Sequence, residues 1–230
     1  MQCGLYGKLP TKRDFVALGV PREVLTAWEP WLQGGISASR TTLGKDWQAA
    51  FLTAPIWRFW LGADLCGKSV LGAFMPSSDG IGRYFPLTLF ALADENAVIA
   101  PPEFEAQDGW FKHAEDFLIS TLDEHKTFEA IVDDLNGLAA PSQEPLQAPT
   151  PDMTLGPDGT VAILAGERDF AEIFKSVREN DHGKVYASTT YWWTIGGDGF
   201  APMALCGKRM PDPFLFSAML TGKFPASERG

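Results

Sequence analysis

The longest apolar run in this chain, Pro86 to Ala93, is no longer than a β-strand. A helix that crosses a bilayer needs about 20 consecutive apolar residues. The chain therefore has to bury its apolar content by packing short elements on one another. That content is large: 45% of the residues are hydrophobic, with eight Trp and sixteen Phe, enough for a substantial core and too much for an intrinsically disordered chain. At 230 residues the length admits one large domain or two small ones.

The order of the short elements sets the fold class. Gly4 to Pro10 reads as a strand that turns at the proline. Pro21 opens a helix with Val24, Leu25, Trp28, Trp31 and Leu32 at helical spacing, and Pro30 is expected to kink or restart it, because proline lacks the donor an unbroken helix uses. A short helix is expected over Lys45–Leu52. Strands are expected over Ile56–Leu61 and Val70–Met75, with Gly62–Gly67 as the hairpin loop, and over Arg83–Leu92, whose continuous apolar character suits an interior strand. Pro86 implies an edge or bulge in the first part of that strand. Helices follow over Gln107–Leu122 and, capped by Thr127, to Leu138. Residues 139–157, rich in Pro, Ala and Gln, read as an exposed loop or linker. Asp158-Gly159 signals a turn before a strand over Thr160–Leu164, and a helix over Arg168–Arg178 carries Phe170, Ile173, Phe174 and Val177 on one face. Strands over Thr189–Ile195 and Phe200–Leu205, joined by Gly196–Gly199, precede a closing helix over Pro211–Leu220. Helices and hairpin-like neighbours in this order give an α/β (α+β) layered fold on a largely antiparallel sheet. A doubly wound dinucleotide fold would need a regular strand–helix alternation that is missing.

Charge and chemistry narrow the function. The formal charge is −10, which repels nucleic-acid phosphate and anionic lipid, and the densest basic cluster, Lys8, Lys12 and Arg13, is too small for a nucleic-acid groove. Three widely spaced cysteines, Cys3, Cys66 and Cys206, imply no disulfide framework and fit a reducing cytoplasm. No basic segment followed by an apolar stretch opens the chain, so no signal peptide is expected. His113, His125 and His182 have no zinc-site spacing and read as solvated. Cys66 and Cys206 each precede Gly-Lys, which matches no nucleophile motif and reads as small residues at strand ends. Gly80-Ile81-Gly82-Arg83 lacks the Gly-Lys-Ser/Thr of a phosphate loop and leads into a strand rather than a helix. The Tyr191-Trp192-Trp193 run, in a strand, sends its two tryptophans to opposite faces, and an exposed one would serve as a partner anchor.

Two segments mix small, charged and aromatic residues in an order that core packing alone does not demand. One is Gly4-Leu5-Tyr6-Gly7-Lys8-Leu9-Pro10, continuing to Asp14-Phe15; the other is Met75-Pro76-Ser77-Ser78-Asp79-Gly80-Ile81-Gly82-Arg83-Tyr84-Phe85-Pro86-Leu87. Arg83 stands out, at the mouth of an apolar strand, with Asp79 four residues before it. It is read both as a structural arginine that pairs with Asp79 or Asp14 to pin the loop and as part of a partner-facing patch with Lys12, Arg13, Asp14, Asp79 and Tyr84.

These two segments, with Trp31-Leu32, Ser39-Arg40, Leu52 to Phe59, Ser188, Trp192-Trp193 and Phe214 to Gly222, resemble the TagF family of the bacterial type VI secretion system, in order and over nearly the whole chain. The resemblance implies a single domain over 1–230, shaped as a central sheet sandwiched by helices, akin to longin or signal-recognition-receptor domains. It implies a non-enzymatic, cytoplasmic, post-translational repressor of type VI secretion. The implied partner is the forkhead-associated scaffold protein, Fha, with a functional link to a PppA-type phosphatase and no cofactor or metal. A structural adaptor of the apparatus and a hydrolase are the alternatives. One departure stands out: TagF proteins usually carry Gly before the Asp-Phe pair, where this chain has Arg13, so a turn that used a positive φ there must differ here.

Overall fold

The computed structural model describes residues 3–145, 153–155, 161–164, 166–180 and 182–224. Strands β1 (Cys3–Gly7) and β2 (Val16–Leu18) precede the long helix α1 (Arg22–Leu43), a 3-10 turn over Gly44–Asp46 and α2 (Trp47–Leu52). Then come β3 (Trp57–Leu61), the helical turn α3 (Ala63–Cys66), β4 (Val70–Met75), β5 (Leu87–Leu92) and the short β6 (Ala97–Val98). Helices α4 (Asp108–Ser120) and α5 (Phe128–Gly137) lead to β7 (Glu144–Pro145), β8 (Met153–Leu155) and β9 (Val161–Ile163). The chain closes through α6 (Phe170–Asn180), α7 (His182–Val185), β10 (Thr189–Thr194), β11 (Met203–Lys208), a 3-10 turn over Pro213–Leu215 and α8 (Phe216–Thr221).

Seven strands form one sheet in the order β11-β10-β3-β4-β5-β1-β2, and every pairing in it is antiparallel. β1, β3 and β4 are buried along their whole length because helices cover both faces. One face packs Trp28, Trp31 and Leu32 of α1, Trp47 and Phe51 of α2, and Phe216 of α8 against Phe59, Phe74, Phe90 and Trp192. The Trp28 ring lies 4.4 Å from Phe59 and stacks 5.8 Å from Trp192. The other face packs Phe111 and Leu118 of α4 and Ile131 and Leu135 of α5 against Leu5, Trp60, Leu71 and Leu89. Three buried indoles bind distant carbonyls: Trp31 donates to Pro211 O, Trp57 to Met219 O and Trp60 to Ile99 O, each at 2.9 Å, whereas the buried Trp28 and Trp192 N–H groups have no hydrogen-bond partner among the described residues. Two of these bonds fasten the end of the described chain to the first helix and the sheet.

Several expectations give way to tertiary packing. α1 runs through Pro30 to Leu43 as one helix, because Trp28, Trp31, Leu32 and Ile36 are all buried and hold both sides of the exposed proline in register. β5 begins only at Leu87, so Arg83 to Pro86 belong to the preceding loop and Pro86 disturbs no ladder. The Gly62–Gly67 connection contains the helical turn α3. Residues 139–145 are docked rather than free: Pro141 is buried, Gln107 Nε2 donates to Ser142 O and Trp110 Nε1 to Ala139 O, and Glu144–Pro145 pairs with Ala97–Val98. β8 falls inside the expected linker and pairs with β9, while the Asp158-Gly159 turn lies outside the described residues. On α6 only Ile173 of the apolar stripe is buried; Phe170 and Phe174 are exposed. Trp192 and Trp193 do take opposite faces. Trp192 is buried under α1 and Trp193 packs 5.1 Å from Phe111, so neither is an exposed anchor.

Candidate partner-binding site

The topology brings the two signature segments together. β1 ends at Gly7 and pairs there with Leu87, the first residue of β5, while β4 ends at Met75 opposite the same Leu87. The loop after β1 and the loop before β5 therefore leave the same end of the sheet side by side. Gly7 permits the approach: its φ is 137°, and a Cβ there would lie 2.1 Å from Pro86 O.

Asp79 ties the two loops together. Its side chain has no exposed surface. Oδ2 accepts from Lys8 Nζ at 2.7 Å and from Arg83 Nε at 2.6 Å; Oδ1 accepts from the backbone N–H groups of Arg83 at 2.8 Å and Ile81 at 3.1 Å. Burial works against the charge, but hydrogen bonds from Lys8, Arg83 and Ile81 outweigh it and hold the carboxyl well below the usual carboxylate range. Backbone bonds reinforce the tie: Gly80 N donates to Lys12 O at 2.8 Å, Arg83 Nη2 to Arg13 O at 2.6 Å, and Ser77 Oγ to Lys8 O at 2.8 Å. A fully buried carboxylate with four donors is a structural clasp, and its proton chemistry is spent on holding it ionised.

Around this clasp the expected site residues take different positions. Arg13 and Asp14 are exposed, and Arg83 keeps 57% of its side chain exposed while paired with Asp79 rather than Asp14. Asp79 presents no surface and acts from beneath by fixing Arg83. Lys12 leans toward the α4–α5 layer, its Nζ 3.9 Å from the Phe128 ring centre. Tyr84 turns to the opposite layer, where its hydroxyl accepts from Gln48 Nε2 at 2.9 Å and its ring packs against Phe51 and Trp47. The six residues thus share one end of the sheet but divide between its two faces. Arg13 does not take a positive φ, so this chain makes the turn without the glycine conformation.

Two contributors escaped the sequence reading. Lys8 is buried although it is a lysine, and the signal for it was its place at the end of a strand buried at every position. Phe15 is 52% exposed yet caps the site, 4.8 Å from Phe85 and stacked on Tyr6, with Lys8 Nζ 5.2 Å from its ring. Beside them lies a groove of about 540 Å³ between α1 and the β4–β5 loop. Elsewhere, burial pushes the Cys3 thiol up to about 11 and the Cys66 thiol up to about 12, and His113 bonds its own helix through Gly109 O. Among the described residues no group of three or more His, Cys, Asp or Glu side chains gathers to hold a metal, and no helix is long and apolar enough to cross a membrane.

A comparison with curated protein sequences finds no significant match. In structure, the chain is similar to the crystal structure of PA0076 from Pseudomonas aeruginosa PAO1, at 31% identity over 97% of this chain and 96% of that one, with a TM-score of 0.78. The profile of the TagF N-terminal domain, described as type VI secretion system-associated, matches residues 4–138, which include both clasped loops, and the chain belongs to the TagF family.

Proposed function

We propose that this chain represses type VI secretion after translation by binding the forkhead-associated scaffold protein of the apparatus, in the cytoplasm and without enzymatic chemistry. Family membership supplies the secretion system. The observation that carries a binding role is the clasp: a buried Lys8–Asp79 pair, joined by the largely exposed Arg83, that fixes two loops, whose outer residues Arg13, Asp14, Phe15 and Arg83 then form a preorganised surface. Preorganisation lowers the ordering cost of association. The contact residues on this reading are Lys12, Arg13, Asp14, Arg83 and Tyr84, with Asp79 supporting them from below. The non-enzymatic reading is supported by Cys3 and Cys66, whose raised pKa values keep them as thiols at neutral pH, and by a site carboxylate already saturated with donors. The whole of 1–230 is read as one domain, because β10, β11 and α8 complete the sheet and the α1 layer that the first part of the chain begins. A PppA-type phosphatase is the functional neighbour on this reading.

The test is co-purification of the chain with the scaffold from the same secretion cluster, with secretion measured as the chain is overproduced. Transient capture together with falling secretion supports repression by sequestration. A stable stoichiometric complex without repression would favour a structural adaptor instead.

A further inference from the structure

We propose that the groove between α1 and the β4–β5 loop binds carboxylate side chains of an acidic segment in a protein partner, with Arg40 and Arg83 as the anchoring cations. The inference rests on the partner-binding reading above and gives it a ligand chemistry. The chain carries a formal charge of −10, yet the charged residues lining this groove are Lys8, Arg40 and Arg83, all of them positive. Asp79 neutralises Lys8 from below, which leaves the two guanidinium groups to set the sign of the groove. Arg83 gives Nε to Asp79 and Nη2 to Arg13 O, and a guanidinium has more donors than these two bonds use. Arg40 makes no ion pair among the described residues, and its guanidinium carbon sits over the Trp47 ring, 4.3 Å from the ring centre. A cation–π contact of this kind restrains the guanidinium whose planar fork bidentate carboxylate binding uses. The volume of about 540 Å³ exceeds one carboxylate, and Phe15, Ile36 and Phe85 supply apolar wall. An acidic segment with an apolar or aromatic neighbour fits both features. Each fork takes one carboxylate bidentately, so two neighbouring acidic side chains match the pair; phosphate is the other anion such forks bind, and the experiment separates the two.

The experiment is fluorescence anisotropy of a labelled peptide of alternating Glu and Tyr, titrated with the full chain and with Arg40→Glu, Arg40→Gln and Arg40→Lys. Arg40 is exposed and outside the clasp, so these variants keep the fold, which a thermal melt confirms. The expected result is binding that weakens at least about tenfold in Arg40→Glu, falls by an intermediate factor in Arg40→Gln, survives within about threefold in Arg40→Lys, and weakens with added salt. Equal binding by wild type and Arg40→Glu, or no binding by either, overturns the proposal. So does a phosphothreonine peptide held about tenfold more tightly than the Glu peptide, which would assign the site to phosphate. Scaffold capture runs in parallel. Capture that is the same for wild type and Arg40→Glu removes the groove and leaves the scaffold reading standing. Peptide binding without scaffold capture does the reverse.

Discussion

At the residue scale the molecule turns on Asp79. A carboxylate with no exposed surface is tolerable only because four donors satisfy it, and removing its charge strands the Lys8 ammonium in the interior. Asp79→Asn is expected to lower unfolding stability by about 3–5 kcal/mol, read from the urea midpoint, because a broken buried pair leaves an uncompensated charge. Lys8→Met combined with Asp79→Leu is expected to recover part of that loss, since it removes both charges at once. The pH dependence has a definite sign. The folded carboxyl titrates below the unfolded value of about 3.9, so its contribution is complete above that pH and is lost as pH falls through the folded value. The stability gap between wild type and Asp79→Asn is therefore expected to stay constant from about pH 7 to 5 and to narrow below about pH 4. A gap that widens on acidification would contradict the clasp.

At the scale of elements, the join between β1 and β5 places the site. Gly7→Ala puts a Cβ against Pro86 O and imposes a φ that L side chains avoid. It is expected to cost at least about 2 kcal/mol and to loosen the two loops together, seen as faster amide exchange at Gly80, whose N–H bonds Lys12 O across them. Exchange that rises in one loop alone would show the loops to be independently held. Most elements were legible from periodicity. The Trp28–Leu32 spacing, the Thr127 cap and the Trp192-Trp193 alternation each report a local rule that the tertiary structure obeys. What was illegible depends on partners distant in sequence. Pro30 stays inside one helix because side chains from the sheet and α8 grip its neighbours, and residues 139–145 dock because Gln107 and Trp110 capture their backbone. The site divides in the same way. Arg83 and Asp79, four residues apart, were readable as a pair. Lys8, just beyond β1 and 71 residues away, is readable in the sequence as part of a basic cluster and of the first signature segment, but not as a partner of Asp79.

At the scale of the whole molecule, an acidic chain presents a fixed, partly basic end of its sheet. That arrangement suits recognition, since charge at a rim steers encounter and selects partners while the rigid base limits the ordering cost. The clasp lies within the family-matched residues, and the strands and helix that brace the sheet come from beyond them. On the proposed reading, this end of the sheet engages the secretion scaffold. The most direct measurement is calorimetric titration of the purified forkhead-associated scaffold with wild type and with the double variant Lys12→Glu/Arg13→Glu, which alters side chains outside the buried cluster. Wild-type binding, weakened at least about tenfold by the double reversal while the melting temperature falls by no more than the few degrees that loss of the Lys12–Phe128 contact entails, is the predicted result. Equal affinities for the two proteins would place the partner surface elsewhere on the molecule and contradict the account.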